Sequence, residues 1–173
     1  MKASDLKGRA VVTLADAAKV GQVDDVLFDA AFRQVLGFRV KKGTFGHTDA
    51  VTRANVSAVG ADALTVPSPE VINAEDRFAE LAGAATTSQA HGTKVVTEGG
   101  DLLGAIAELE LDDEARTVLT YTLDAPLLDK LRHRVPSFNA TQVLRLGEGG
   151  IMIVPDALAA QVQPAGERYT RTP

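Results

Sequence analysis

Apolar and polar residues alternate in short runs along most of this chain, at the period of two that marks strands with one buried face. The first series is Val11-Val12-Thr13, then Lys19 to Asp29 with Gly21 interrupting the pattern, then Val35-Leu36-Gly37-Phe38-Arg39-Val40. It returns as Val95-Val96-Thr97, then Leu103 to Asp112, then Val118 to Leu123. Gly104, Asp112, Arg116 and Val118 each lie 83 residues after Gly21, Asp29, Arg33 and Val35, so the two series are copies in register. The pattern predicts a duplicated β unit. Leu36, Phe38 and Val40, with Leu119, Tyr121 and Leu123, are its expected core, and Gly37, Arg39, Thr120 and Thr122 face outward or toward the neighbouring unit.

The joints between strands follow turn chemistry. Asp29-Ala30-Ala31-Phe32-Arg33 and Asp112-Asp113-Glu114-Ala115-Arg116 read as hairpin tips, because a leading Asp bonds the backbone of its own turn. Gly21 marks a bulge or a close backbone approach. Gly60-Ala61-Asp62 and Gly147-Glu148-Gly149-Gly150 read as a second pair of hairpin turns. Between these, the copies diverge over Lys41 to His47 and the longer Asp124 to Pro136, the second of which has room for a helical turn.

Helical signals are few. Ser68-Pro69-Glu70 reads as a cap, a first-turn proline and a first-turn acid, followed by Val71, Ile72, Phe78 and Leu81 on one helical face and Gly83 as a stop. Asp156 is placed to cap a short helix over Ala157–Val162, which Pro164 ends. The organisation expected is a first barrel with a C-terminal helix at 1–83, a linker at 84–90, a second barrel with a short helix at 91–163 and a flexible tail at 164–173.

Composition narrows the chemistry. Of 173 residues none is cysteine or tryptophan, which removes disulfides, thiolate metal sites and a cysteine nucleophile, and leaves Val, Leu, Ile and Ala to fill the cores. Each copy is small enough that packing of the two units on each other, or oligomerisation, is expected to help stability. The start Met1-Lys2-Ala3-Ser4-Asp5 lacks the apolar core of a signal peptide, and no long apolar run exists, so a cytoplasmic protein without membrane insertion is expected. A net charge of −5 disfavours generic binding to phosphate backbones.

Leu6-Lys7-Gly8 before the Val-rich strand, Lys19-Val20-Gly21-Gln22-Val23-Asp24-Asp25-Val26, Asp29 and Val35-Leu36-Gly37-Phe38 resemble the PRC-barrel family. That family includes the cytoplasmic region of a photosynthetic reaction-centre protein and the C-terminal domain of the ribosome-maturation factor. The second copy resembles it too, with Glu108-Leu109-Glu110-Leu111-Asp112 in place of the Asp-Asp-Val run. The resemblance implies a mainly β fold of two tandem small PRC-like β-barrels with short flanking or bridging helices, used as an assembly or adaptor module. With no transmembrane helix and no separate N-terminal domain ahead of the first unit, it implies the module and not the role of either relative.

Candidate chemistry is sparse. Asp24-Asp25 and Asp112-Asp113-Glu114 lack ligand spacing, and neighbours in a strand point to opposite faces, so turn solvation is preferred to metal binding. His47, His91 and His133 are scattered over loops with no zinc spacing, and Lys41-Lys42-Gly43-Thr44 lacks the upstream glycine and following helix of a phosphate loop. No catalytic residue, metal or cofactor is expected. The candidate interaction patch is Lys41, Lys42, Lys130, Arg132, His133 and Arg134, basic residues that follow the same strand of the two units, which a pseudo-twofold axis is expected to bring together. The expected function is a non-catalytic adaptor or scaffold that binds a protein partner or itself. An RNA or ribosome-assembly accessory is the first alternative, weakened by Phe45 being the lone aromatic nearby, and a ligand-binding protein or enzyme at the inter-barrel groove is the second.

Overall fold

The computed structural model describes residues 1–124, 136–147 and 149–162. The fold is mainly β, in two sheets of matching plan. The first runs β4-β3-β2-β1-β6-β5, built from β1 (Ala10–Thr13), β2 (Lys19–Phe28), β3 (Val35–Lys41), β4 (Thr48–Thr52), β5 (Ala58–Val59) and β6 (Ala63–Val66). The second runs β11-β10-β9-β8-β13-β12, built from β8 (Lys94–Thr97), β9 (Leu102–Leu111), β10 (Val118–Leu123), β11 (Ser137–Asn139), β12 (Arg145–Leu146) and β13 (Ile151–Val154). In both, the first strand pairs in parallel with the last, Ala10 opposite Ala63 and Lys94 opposite Ile151. The sheets are the same object twice.

Three bulges repeat with the strands and bend them around the core. Val20, Asp24 and Leu36 have no partner in the first ladder, and Leu103, Ala107 and Leu119, each 83 residues on, have none in the second. A bulge inserts one residue and switches the face that follows. The alternation Leu36-Phe38-Val40 is therefore broken at its first member. Val35 and Val118 point into the core, Leu36 packs on the outer side of its sheet, and Leu119 is 49% exposed, so neither leucine belongs to the core that the alternation predicts. Phe38, Val40, Tyr121 and Leu123 are buried as expected. Gly21 also serves as expected, since a Cβ there would sit 2.6 Å from the Lys41 carbonyl oxygen.

The stretch after Pro67 is not an amphipathic helix. It forms three separate 3-10 turns, Pro69–Val71, Glu75–Arg77 and Ala79–Leu81, and the Ser68 side chain makes no capping bond. Asn73 is drawn into the sheet, where it donates to Ala50 O at 3.1 Å and its carbonyl accepts from Ala50 N at 2.7 Å, and an α-helix would have withdrawn both groups. Glu75 anchors the next turn on β3 by accepting from Arg39 Nε at 2.6 Å and Nη2 at 3.1 Å, which raises the Arg39 pKa. Leu81 and Phe78 then cover Leu27, Leu36 and Ala50 on the outer face of the first sheet. Asp156 likewise turns elsewhere: the helix α2 is Leu158–Val162, and the Asp156 carboxylate accepts from Gly99 N at 2.7 Å.

Residues 84–90 are not a linker. Ala85–Thr86 is β7, paired with Phe28 and Leu27, and Thr87–Ala90 is the helix α1, opened by a capping box between Thr86 and Gln89. They begin the second unit, as Met1–Leu6 begins the first. The 3-10 turn Ala3–Leu6 lies 84 residues before α1, and Gly8 and Gly92 follow them with φ of 86° and 84°. Each opening segment pairs with the other unit. Ala85 and Thr86 lie against β2, while Met1 exchanges two bonds with Leu111 of β9, at 2.7 and 2.6 Å, and Lys2 bridges Glu110. Asp25 receives Thr87 N at 3.2 Å, and Glu108, its counterpart, receives Ser4 N at 3.3 Å.

The units thus meet as an isologous pair does, each giving what it takes. Gln34 and Thr117 bridge at the axis, flanked by Val35 N to Arg116 O and Val118 N to Arg33 O, both 2.8 Å. The buried hydrophobic cluster is continuous from Val11 and Phe38 to Tyr121 and Met152. Among the described residues no helix is long and apolar enough to cross a membrane.

Candidate interaction surface and the inter-unit seam

The loop between β3 and β4 is held by its ends. Lys41 pairs with Thr48, and Lys42 N donates to His47 O at 3.3 Å. Gly43 supplies a φ of 69°, and Gly46 lies so close to the Lys42 carbonyl that no Cβ fits there. This closure pushes the tip outward, leaving Phe45 fully exposed at 101%. The ring is set wholly in water and contributes no buried area to the fold. Lys42 forms an ion pair with Asp49 at 2.8 Å. Beside the tip lies a groove of about 420 Å³ lined by Lys19, Val20, Gly21, Gln22, Lys41, Gly43 and Thr44. Lys19 and Lys41 make it basic against a chain of net charge −5.

Of the six expected patch residues, Lys41 and Lys42 sit here, whereas Lys130, Arg132, His133 and Arg134 lie outside the described residues. Segments 33–35 and 116–118 run antiparallel at the axis, so β3 and β10 leave it in opposite directions. His47 is exposed on the loop and His91 is exposed just after α1. The tip acids act locally: Asp29 and Asp112 accept from Arg33 N and Arg116 N, both at 2.7 Å, and Glu114 pairs with the Arg116 side chain. Among the described residues no three His, Asp or Glu side chains converge as metal ligands.

Sequence reasoning missed the polar seam at the axis. Phe32 and Ala115, equivalent tip residues, both adopt φ of 51° and turn their carbonyls toward the other unit. Tyr121 Oη donates to Phe32 O at 2.8 Å. Its counterpart Phe38 has no hydroxyl, and Arg53 takes over: Nε donates to Ala115 O at 3.2 Å and to Glu114 O at 3.0 Å, and Nη1 to Val56 O at 3.2 Å. Arg33 Nη2 serves Val143 O, the equivalent of Val56 O, at 2.9 Å. Burial and the nearby Arg116 push the Arg53 pKa down, and burial pushes the Tyr121 phenol up to about 12. The one available signal was Arg53 standing where the second copy has Ala140.

Residues 1–72 match the family model described as PRC-barrel domain. The first unit is a PRC-barrel domain. The second unit repeats its strand order, parallel closure and bulges, which is consistent with a tandem arrangement. No curated protein matches the chain.

Proposed function

We propose that this tandem PRC-barrel protein is a non-catalytic cytoplasmic adaptor that binds an acidic protein partner through the β3–β4 tip of its first unit. The observation that carries this reading is Phe45, a fully exposed ring on a glycine-closed loop beside a basic groove. Aromatic residues at the centre of a contact, surrounded by complementary charge, dominate binding energies. The shared core and reciprocal seam supply a rigid base for that loop, since tip residues are positioned by strands that both units brace. No cofactor or metal enters the reading.

The test replaces Phe45 with a photo-crosslinking phenylalanine analogue in the full-length protein, irradiated in native lysate. The expected result is a discrete protein adduct that is lost with Lys41→Glu and survives nuclease. An adduct destroyed by nuclease transfers the site to RNA. No adduct beyond that of the same analogue at Gln161 removes this reading.

A further inference from the structure

The outer face of the second sheet differs from that of the first in one consistent direction. Facing away from the core are Val96 on β8, Leu102 on β9, and Ile151 and Ile153 on β13, aligned by the pairs Val96 with Leu102, Val96 with Ile153 and Lys94 with Ile151. Leu144 joins them at the rim, its N–H donating to Ile153 O at 2.9 Å. The equivalent positions of the first unit are Val12, Lys19, Ala63, Thr65 and Ser57. Four of five positions have therefore become large and aliphatic, although the same fold accepts small or polar residues there. Leu102 is 61% exposed, Leu144 51% and Ile151 43%, a concentration of apolar surface that folding of the chain alone does not require.

Charge has been added to the same face at its two ends. Lys94, where the first unit has Ala10, stands at the start of β8, and Glu98, where it has Leu14, stands just past its end with Asp101. All three are exposed. Arg145, exposed on β12 opposite Ile153, adds a cation at the rim beside Leu144, and the strip of β8 and β13, basic at the Lys94 end and acidic at the Glu98 end, is complementary to itself after a half-turn.

We propose that this face is a self-association surface, on which a second copy of the chain packs sheet to sheet about a twofold axis. Lys94 of each copy then meets Glu98 and Asp101 of the other across the Val96, Leu102, Ile151 and Ile153 layer. Four strands at about 4.8 Å spacing and four to five residues at about 3.3 Å give a face roughly 15–20 Å on a side. That is several hundred Å² per copy, below the roughly 800 Å² of a standard interface, so the dimer is weak and concentration dependent. The surface is remote in sequence from the Phe45 loop and independent of the adaptor reading.

The test is sedimentation equilibrium of the full-length protein over a micromolar to millimolar series. The expected result is a monomer–dimer equilibrium that Leu102→Lys with Ile153→Thr weakens at least tenfold. Both substitutions import the residue that the first unit carries, and an unchanged thermal transition at low concentration confirms folding. Lys94→Glu also weakens association, and Glu98→Lys in the same chain restores it, as twofold pairing requires. A protein that stays monomeric throughout, or a dimer indifferent to Leu102→Lys but broken by Phe45→Ser, overturns the proposal.

Discussion

The broken symmetry of the seam gives a prediction with a built-in control. Tyr121→Phe deletes one hydroxyl, keeps the ring that lies 5.4 Å from Phe138, and leaves the Phe32 carbonyl without its partner. Losing a buried hydrogen bond and stranding a carbonyl costs about 1–2 kcal/mol. Arg53→Met strands the carbonyls of Glu114, Ala115 and Val56, for a larger loss of roughly 2–4 kcal/mol, moderated because a buried cation is removed as well. In that background Phe38→Tyr places a hydroxyl where the pseudo-twofold relation puts the Ala115 carbonyl, and about 1 kcal/mol should return. With Arg53 present, Phe38→Tyr finds its acceptor already occupied and destabilises. Urea unfolding followed by far-UV circular dichroism measures all four chains, and the coupling between positions 38 and 53 is the quantity sought. Equal effects of Phe38→Tyr in both backgrounds would falsify the equivalence of the two carbonyls, and with it the pseudo-twofold account of the seam.

Other expectations follow from single environments. Gly37→Ala forces a methyl into the Val51 carbonyl and against Leu81, and should cost about 2–3 kcal/mol, seen as a lowered urea midpoint, whereas the equivalent Thr120 has no such cover. Leu119→Lys, on an exposed bulge, should stay within about 0.5 kcal/mol of the parent, while Val118→Ala one residue earlier should lose about 1–3 kcal/mol. Tyr121 ionises near 12 in the fold and near ~10 when unfolded, so the unfolded chain binds fewer protons between those values and stability falls as pH rises through that window. The loss is on the order of 2–3 kcal/mol, and it should vanish in Tyr121→Phe when unfolding is followed at alkaline pH. Gly46→Ala should reshape the Phe45 loop with little change in thermal stability, because the loop lies outside the core, and amide shifts confined to residues 41–48 would show it.

What the sequence determined by itself was the duplication, the strands and most of their inward residues. The offset of 83 between Gly21 and Gly104, and between Asp29 and Asp112, is visible without coordinates because turn chemistry and period-two patterning are local. The exposed basic tip at Lys41–His47 was legible for the same reason. Tertiary structure decided the rest. Bulges at Leu36 and Leu119 shift the pattern by one residue, and only the partner strand reveals which residue is extra. The stretch 68–83 satisfied the local signals of a helix, but Asn73 bonds to Ala50 and Leu81 fills a gap on the sheet's outer face, two long-range contacts that outweigh a weak propensity. Residues 85–90 looked like a tether because small polar residues carry no periodicity, yet their backbone completes an edge that belongs to the other unit. How the two units face each other was likewise beyond the sequence: a repeat fixes equivalence, while the relative placement of equivalents depends on how the two surfaces meet.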